Sequence, residues 1–399
     1  MRVTIATTGR FPPAFVWAAY LEPRDQLERI VTPMPYHRVR DFGMSRKRTC
    51  ALLPFAAWNY ASRRLAAGAS PRVLELNQYL RTVSFDTSVS RLLGNCDVFN
   101  GWTGASLFSI RTARRRGIPS VLQTGSAHIV RQAEILRQEE ARFGEGEGIT
   151  HPRVIARAVR EYEEADRIVV PSRFVYQTFI DAGVAPEKLI LVPWAAVGVA
   201  EAPEHRPAKD GPVTVLFVGA CSLRKGVPYL LQAARKIGAE VEVRMVGPEN
   251  PRLLTRLGRL PSNVTAVGVR RGADLQDEFR RAEIFVLPSV EDGSALVTLE
   301  AMLAGLPVVV SDQAGAALIE EGTSGYEVPA GDADALAERI LLLARDHGLR
   351  ARVGAAARAT ALPRTPEAYG DELTRFVYRP LLQSPERIAG TRSARDPAS

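Results

Sequence analysis

Cysteine is scarce in this sequence of 399 residues, and Cys50, Cys96 and Cys221 are odd in number and far apart. Such a set supports neither a disulfide framework nor a zinc site with cysteine ligands, so we expect reduced thiols. Long apolar runs are also missing, and none approaches the length of a membrane span. The amino terminus enters a strand-like segment directly after Arg2 and has no signal-peptide pattern. These absences predict a cytoplasmic protein.

Negative charge is in deficit, because 52 Lys and Arg residues face 44 Asp and Glu residues, which gives a formal net charge of +8. A basic chain favours acidic partners, namely nucleotides, anionic lipid surfaces or acidic glycans. No nucleic-acid motif accompanies the charge, so nucleic acid is not an expected partner. Within residues 14–92, where no clear periodicity is present, segments 36–40 and 44–48 are basic and partly aromatic. They predict peripheral contact with an anionic membrane at its inner face or with an anionic acceptor; a solvated variable loop is the alternative.

The chain is 46% hydrophobic and 24% charged, which is a soluble globular balance with enough apolar material for two cores. Two runs of alternating strand and helix patterns predict an α/β fold of two domains. We expect a first domain over 1–197, a linker over 198–212 and a second domain over 213–365. A helix over 366–384 is expected to pack back on the first domain, and the polar tail 385–399 is expected to be disordered.

Residues 284–311 are the most informative stretch. An apolar run over 284–287 precedes a loop over 288–293 that is rich in breakers, a helical pattern over 294–303 and a second apolar run over 308–310. The order predicts strand, loop, helix and strand. In such a unit the carboxyl end of the strand and the amino end of the helix share one crevice. Free backbone N–H groups and the helix dipole favour a phosphate there.

Two carboxylates bracket this anion site, since Asp292 lies in the loop and Glu300 lies about two turns along the helix. Gly293, Ser294 and Ala295 between them are small enough to let an anion approach. The carboxylates do not suit a phosphate, whereas both can accept hydrogen bonds from hydroxyl groups. Together the features indicate a sugar nucleotide. The alternative is a first-turn carboxylate that satisfies the helix dipole, together with a solvated helix glutamate.

Two further strand ends carry candidate residues. The loop 219–226 has a glycine at each end and holds Arg224 and Lys225, so it offers a diphosphate both backbone access and fixed positive charge; a basic turn by chance is the alternative. The turn 123–128 ends in His128, whose imidazole could contact a sugar hydroxyl or a phosphate oxygen. A lone histidine is more often structural, and that reading stays open.

These motifs resemble those of the GT4 family of retaining glycosyltransferases. The family has two acidic residues separated by seven others, as Asp292 and Glu300 are, and residues 300–309 match the usual continuation closely. Its phosphate loop ends in Lys-Gly, as 225–226 does, and one branch has a similar Gly-Ser-x-His turn at 125–128. The resemblance is strongest over residues 213–331.

The chain departs from the family pattern at three places. Asp292 stands where the family normally has Glu, and Ala220 stands where an Arg usually follows the first Gly of the phosphate loop. The segment 193–197 lacks the Gly and the Asp of the family's Pro-x-Gly-Val-Asp motif. Arg224 could supply the charge missing at Ala220 from a different position.

The resemblance implies the GT-B architecture, in which two Rossmann-like domains face each other across a cleft. It implies a hexosyltransferase-type enzyme that moves a sugar from a nucleoside diphosphate donor to a glycan, lipid-linked or small-molecule acceptor with retention at the anomeric carbon. His128, Lys225 and Asp292 are then the catalytic candidates. The implied donor contacts are Gly219, Arg224, Lys225, Val269, Arg270, Asp292, Gly293, Ser294, Ala295, Leu296 and Glu300.

Neither a cofactor nor a metal is expected, because the nucleotide sugar is a substrate and Arg224, Lys225 and the helix amino end supply the positive charge. The closest candidate for a metal motif, Asp332 and Asp334, resembles the cap and first turn of a helix. A nucleotide-sugar epimerase of the same fold is one alternative function. A catalytically silent nucleotide-sugar-binding subunit is the other.

Overall fold

A computed structural model describes residues 1–9, 11–65, 71–144, 150–196 and 211–383. The expected disordered tail lies outside the described residues, as does the expected linker apart from its last two positions. Among the described helices, none is both long and apolar enough to cross a bilayer.

The described residues form two parallel β-sheets, each flanked by helices. The seven-stranded sheet has the order β3-β2-β1-β4-β5-β6-β7, and the six-stranded sheet has the order β10-β9-β8-β11-β12-β13. The strands of the first are β1 (Val3–Ala6), β2 (Leu27–Thr32), β3 (Thr49–Ala51), β4 (Val98–Trp102), β5 (Ser120–Gln123), β6 (Arg167–Val170) and β7 (Leu189–Leu191). Those of the second are β8 (Val213–Val218), β9 (Val241–Val246), β10 (Val264–Gly268), β11 (Ile284–Leu287), β12 (Val308–Ser311) and β13 (Tyr326–Val328).

The helices of the first half are α1 (Pro12–Leu21), α2 (Tyr36–Val39), α3 (Leu53–Leu65), α4 (Pro71–Ser90), α5 (Leu107–Arg115), α6 (Ile129–Phe143), α7 (Pro152–Glu164) and α8 (Arg173–Asp181). Those that follow are α9 (Val227–Ile237), α10 (Pro251–Leu257), α11 (Ala273–Arg281), α12 (Leu296–Leu303), α13 (Ala333–Arg345), α14 (His347–Ala361), α15 (Pro366–Glu372) and α16 (Arg379–Leu382). A π-helical turn, Leu373–Tyr378, joins the last two. The predicted α/β fold class is confirmed by these two parallel sheets and their flanking helices.

The second sheet forms where the sequence has short continuous apolar runs. β11 and β12 are buried along their whole length, as expected for parallel strands covered on both faces. Helix α9 buries one face against this sheet and begins after Gly226, whose φ of 68° suits glycine. Helix α12 begins at Leu296, two residues later than the pattern predicts, so Ser294 and Ala295 precede it. This half therefore has one continuous core.

The carboxyl-terminal segment packs on the first sheet. Tyr369 and Tyr378 are fully buried, and their hydroxyl groups donate to Gln123 and Asn100 at the carboxyl end of that sheet. Tyr378 also stacks on Trp17 of α1, with ring centroids 4.9 Å apart. Helix α1 is therefore buried both on the sheet side and on the side of the carboxyl-terminal segment.

In parallel sheets the loops after the carboxyl ends of the strands lie on one edge. The loops that follow β4 and β5 in the first sheet and β8 and β11 in the second all contribute to a single cavity. The fold therefore brings the candidate segments 123–128, 219–226 and 288–295 to one place.

Candidate functional site between the two sheets

The cavity between the two halves has a volume of about 810 Å³, which is large enough for a nucleotide sugar or an acceptor. The second half contributes a short wall made of loop residues and the first turn of α12. The wall from the first half is built largely of aromatic, hydroxyl and amide side chains. Residues that line the second-half wall are Arg224, Lys225, Asp292, Ser294, Ala295, Leu296 and Val297.

The loop 219–226 is held tightly against the loop that follows β11. A Cβ atom at Gly226 would collide with the carbonyl oxygen of Pro288, so only glycine fits there. The Val290 N–H donates to the carbonyl oxygen of Arg224 at 2.9 Å. This packing fixes Arg224 and Lys225 at the cavity beside the amino end of α12. Two of the predicted diphosphate contacts therefore lie where the sequence places them.

Both cations are paired with acids of the loop after β11. Arg224 Nε lies 2.6 Å from a carboxylate oxygen of Glu291, and Lys225 Nζ forms an ion pair with Asp292. Asp292 lines the cavity next to Lys225, and no other acid is present among the described residues of the lining. The second-half wall is therefore close to charge balance, and the Asp292 carboxylate lies at the cavity surface beside Lys225.

The small residues before α12 have two different roles. Ser294 and Ala295 line the cavity, and no side chain caps the helix that begins at Leu296. Its first turn also lacks an acidic residue, so the amino end is suited to an anion. Gly293 is not among the described lining residues, and a Cβ there would collide with the carbonyl oxygen of Gly125. Gly293 thus permits close approach of the two halves, and its contact with an anion stays a prediction.

Glu300 lies on the second turn of α12 and is partly buried. Burial raises the pKa of its carboxyl group to about 7. Among the described residues, the Glu300 carboxylate has no hydrogen-bond or ion-pair partner. The residue also lies outside the cavity lining. Its contact with the donor ribose stays a prediction.

His128 is buried instead of lining the cavity. Its ring packs between Tyr162 and Phe179, with centroid distances of 4.8 Å and 5.1 Å. Its neighbours Ala127 and Ile129 do line the cavity. Burial lowers the pKa of His128 to about 4, so the imidazole is neutral at pH 7. A contact with the donor sugar would require the ring to leave this packing, and that role stays a prediction.

Besides Gly293 and Glu300, three further predicted donor contacts lie outside the described cavity lining. Gly219 directly follows β8, and its carbonyl oxygen lies so close to Gly247 that a Cβ at Gly247 would collide with it. Val269 and Arg270 follow β10 and are exposed. Strand β9 separates β10 from β8, so these residues lie two strands away from Arg224. Their contact with the base stays a prediction.

Sequence analysis missed Glu291, the best connected acid of the site. It is fully buried and accepts hydrogen bonds from the Ala127 N–H at 2.8 Å, Gln132 Nε2 at 2.9 Å and Arg224 Nε at 2.6 Å. Two of these donors belong to the first half. The spacing from Glu300 singles out Asp292 and does not include Glu291. The signal in the sequence that points to Glu291 is the pair of consecutive acids, 291 and 292, that follows a buried strand.

An aromatic cluster on the first-half wall was also missed. Phe11 lies edge-on to Trp102 and to Trp194, with ring centroids 4.3 Å and 5.1 Å apart. All three residues line the cavity. Trp194 belongs to the segment 193–197, which departs from the family's Pro-x-Gly-Val-Asp motif, and it stands at the variable second position of that motif.

Potential metal ligands are not grouped at the site. Among the described residues, no three His, Cys, Asp or Glu side chains lie close enough to hold an ion. Asp332 accepts from the N–H groups of Asp334 and Ala335 and so caps α13. The carboxylates at 332 and 334 are therefore part of a helix start, as the sequence pattern indicated.

Residues 212–346 match the family model "Glycosyl transferases group 1". Two curated relatives are similar in sequence. The amylovoran biosynthesis glycosyltransferase AmsK of Erwinia amylovora is 26% identical over 281 residues, which are 66% of this chain and 67% of the relative. The phosphatidyl-myo-inositol mannosyltransferase of Mycobacterium leprae is 35% identical over 150 residues, covering 36% of this chain and 40% of the relative. The chain thus matches from two fifths to two thirds of the lengths of these relatives.

The fold is similar to that of Anabaena Alr3699/HepE, which was solved in complex with UDP and glucose. The two chains share 16% identity with a TM-score of 0.66, and the match covers 95% of this chain and 99% of the other. At this identity the likeness establishes the fold alone. Residues 212–346 therefore form a domain of the glycosyl transferases group 1 type, and the chain as a whole has the two-sheet GT-B fold.

Proposed function

We propose that the chain transfers a sugar from a nucleoside diphosphate donor to a carbohydrate acceptor with retention at the anomeric carbon. The observation that carries this proposal is the single cavity in which Arg224, Lys225 and the uncapped amino end of α12 face an aromatic and hydroxyl-rich wall. Retention rests on the resemblance to the GT4 family. Release of free nucleoside diphosphate in proportion to added acceptor tests the proposal.

The donor diphosphate binds beside the amino end of α12. Arg224, Lys225 and the backbone amides near Ser294 and Ala295 stabilise the negative charge that develops on the leaving group. When the diphosphate engages Lys225, the carboxylate of Asp292 is released from its ion pair and accepts from hydroxyl groups of the donor sugar. The cationic groups are already in place, so transfer needs no divalent ion.

The acceptor binds against the first-half wall. Phe11, Trp102 and Trp194 offer apolar ring surface for the C–H face of a sugar, and Asn59 and Arg81 offer polar groups at the same cavity. A glycan or lipid-linked acceptor agrees with the names of the two relatives, an amylovoran biosynthesis glycosyltransferase and a phosphatidyl-myo-inositol mannosyltransferase. UDP is the first nucleotide to test because the Anabaena structure contains it.

A cytoplasmic location is part of the proposal. Peripheral contact with the inner face of an anionic membrane is a second part of it. Arg38, Arg40, Arg46 and Lys47 are exposed in the segments that the sequence singled out. The adjacent helices α3 and α4 also expose large apolar side chains while other residues of both helices line the cavity. Those exposed side chains are Leu53, Trp58, Tyr60, Val73, Leu74, Leu76 and Leu80. Sedimentation with vesicles that contain phosphatidylglycerol should exceed sedimentation with neutral vesicles and should decrease with salt.

The cavity lining favours transfer over epimerisation. An epimerase needs acid and base groups for proton abstraction, whereas Asp292 is the one acid among the described lining residues and it is held by Lys225. An epimerase would convert donor without steady release of nucleoside diphosphate, and a silent subunit would do neither. The release assay therefore separates the three functions.

A further inference from the structure

Glu291 is the point at which the two halves meet the phosphate loop. It lies between β11 and α12 and is fully buried. One carboxylate oxygen accepts from the Ala127 N–H, while the other accepts from Gln132 and Arg224. The carboxylate thus joins the turn 124–128 and helix α6 of the first half to the loop 219–226 of the second.

Other contacts reinforce the same junction. Arg224 Nη2 donates to Ser126 Oγ at 3.2 Å, and Ser172 Oγ donates to the carbonyl oxygen of Gly293 at 2.8 Å. Glu291 differs from these groups because a buried carboxylate is stable only while its donors stay in place. Separation of the two halves would remove the Ala127 and Gln132 donors together. Arg224 would then remain as the contact from its own half.

We propose that Glu291 is a positioning residue that presents Arg224 to the donor diphosphate and, through its Ala127 and Gln132 donors, holds the cleft closed around it. A planar guanidinium can bind a carboxylate through Nε while its other nitrogens face a second anion, which a lysine ammonium cannot do. The Nε edge of Arg224 is occupied by Glu291 and the residue lines the cavity, which is the arrangement this role requires. The inference rests on the proposed transferase function and specifies how closure activates it.

Glu291→Gln is the primary test, because it keeps the size of the side chain and removes its charge. With UDP-glucose as the first donor probe, we expect kcat to decrease about 10- to 100-fold. UDP affinity measured by calorimetry should change less than about threefold, since UDP binds mainly to the second half. Arg224→Lys should reproduce this pattern, so the test stays decisive even if Glu291→Gln is unstable.

Glu139→Gln is a matched control. Glu139 is also a buried acid that crosses between the halves, where it accepts from the Tyr229 hydroxyl at 2.8 Å, but Tyr229 lies on α9, outside the loop 219–226. A merely structural role predicts that both glutamine variants lower the melting temperature and keep the kcat of the folded protein. Our proposal predicts that Glu139→Gln keeps the kcat of the folded protein, whereas Glu291→Gln lowers it. The double variant Glu291→Gln with Arg224→Lys should be no slower than the slower single variant.

A folded Glu291→Gln protein with kcat within about twofold of wild type would overturn the inference, as would a double variant whose losses multiply. Small-angle X-ray scattering gives a readout that does not need activity. The Glu291→Gln protein should have a larger radius of gyration than wild type, and an equal radius would count against the proposal. A wild-type chain that releases no nucleoside diphosphate from any donor would overturn the proposed function instead, and scattering would still decide whether Glu291 holds the cleft closed.

Discussion

Two helices begin at the same cavity but have opposite chemistry at their amino ends. The start of α5 is filled from within the protein, because Asp86 accepts from the N–H groups of Phe108 and Ser109, and Glu161 accepts from those of Ser106 and Leu107. The start of α12 has neither a capping side chain nor an acid in its first turn. One helix end is therefore satisfied by internal carboxylates, and the other is available to an external anion.

This difference separates the stable half of the site from the reactive half. Arg157 lies between Asp86 and Glu161 and is buried with them, so the α5 cluster is a closed network on the first-half side of the cavity. On the donor side, Lys225 is partly exposed and its partner Asp292 lines the cavity. A diphosphate can replace the acids around α12, whereas it has no place at α5.

Removal of the donor-side lysine should have the largest effect. Lys225→Ala takes away a fixed cation from the leaving diphosphate, and we expect turnover to decrease about 100- to 1,000-fold. Lys236→Ala is the control, since Lys236 is an exposed lysine on the neighbouring helix α9. Steady-state release of nucleoside diphosphate measures both variants. Comparable activity of Lys225→Ala and Lys236→Ala would remove Lys225 from the mechanism.

Breaking the α5 network should affect stability and spare the chemistry. Glu161→Ala removes the acceptor of the Ser106 and Leu107 N–H groups at the start of α5 and one of the two acidic partners of Arg157. The free energy of unfolding should therefore decrease by about 3 kcal/mol. Glu163→Ala changes an exposed neighbour on the same helix and should cost less than about 0.5 kcal/mol. Urea denaturation measures both. Equal unfolding free energies for the two variants would show that the buried cluster does not stabilise the fold.

An internal carboxylate at α12 should make that helix end resemble α5. Ala295→Asp places an acid at the N-cap position, where it can satisfy the helix amides and repel a diphosphate. We expect nucleoside diphosphate affinity to decrease about 10- to 100-fold while the melting temperature is kept or raised. Ala295→Asn is the neutral control of the same size. If calorimetry shows the same affinity for both variants, phosphate does not bind at this helix end.

Glu300 should give the donor site a smaller, pH-dependent component. A carboxylate that accepts from ribose hydroxyls must be ionised, so donor affinity should decrease by at most about tenfold per pH unit as the pH falls below the pKa of about 7. Glu300→Gln should remove this dependence, and Glu300→Ala should weaken donor binding by about 1–3 kcal/mol. A wild-type titration curve that is flat from pH 8 to pH 5 would exclude Glu300 from the donor site.

The same pKa shift affects folding stability with the opposite sign. The folded chain binds the Glu300 proton more tightly than the unfolded chain does, because burial raises the pKa from 4.5 to about 7. The contribution of this group to stability is therefore fully present below pH 4.5 and is lost as the pH rises to about 7.

The second sheet could be predicted from sequence because β11 and β12 are short apolar runs next to Pro and Gly residues. The segment 14–92 could not, and α1 shows why. Packing on two sides buries most of this helix, which removes the one-sided apolar pattern that marks a surface helix. Strand β3 has only three residues, all partly exposed, and offers no apolar run.

The site was predictable only where function depends on local spacing. Arg224 and Lys225 lie within one short loop whose place at a strand end fixes their location. The role of Glu291 depends on two hydrogen-bond donors that lie more than 150 residues away in the chain. No local sequence pattern predicts such contacts. The direction of the His128 ring is likewise set by Tyr162 and Phe179, which tertiary packing brings beside it.

Persistence of transfer in excess chelator separates the protein-cation mechanism from a metal mechanism. The second-half wall supplies two cations, Arg224 and Lys225, and a helix start without a side-chain cap, so activity should be unchanged by chelator. Activity that is abolished by chelator and restored by magnesium or manganese would contradict the mechanism.

The most direct test of the central claim is a crystal structure of the chain with the nucleoside diphosphate that raises its melting temperature most. The β-phosphate is expected within hydrogen-bonding distance of Lys225 Nζ and of the backbone N–H groups near Ser294 to Leu296. A diphosphate bound at the start of α5, or anywhere away from Arg224 and Lys225, would contradict the claim that α12 provides the anion site.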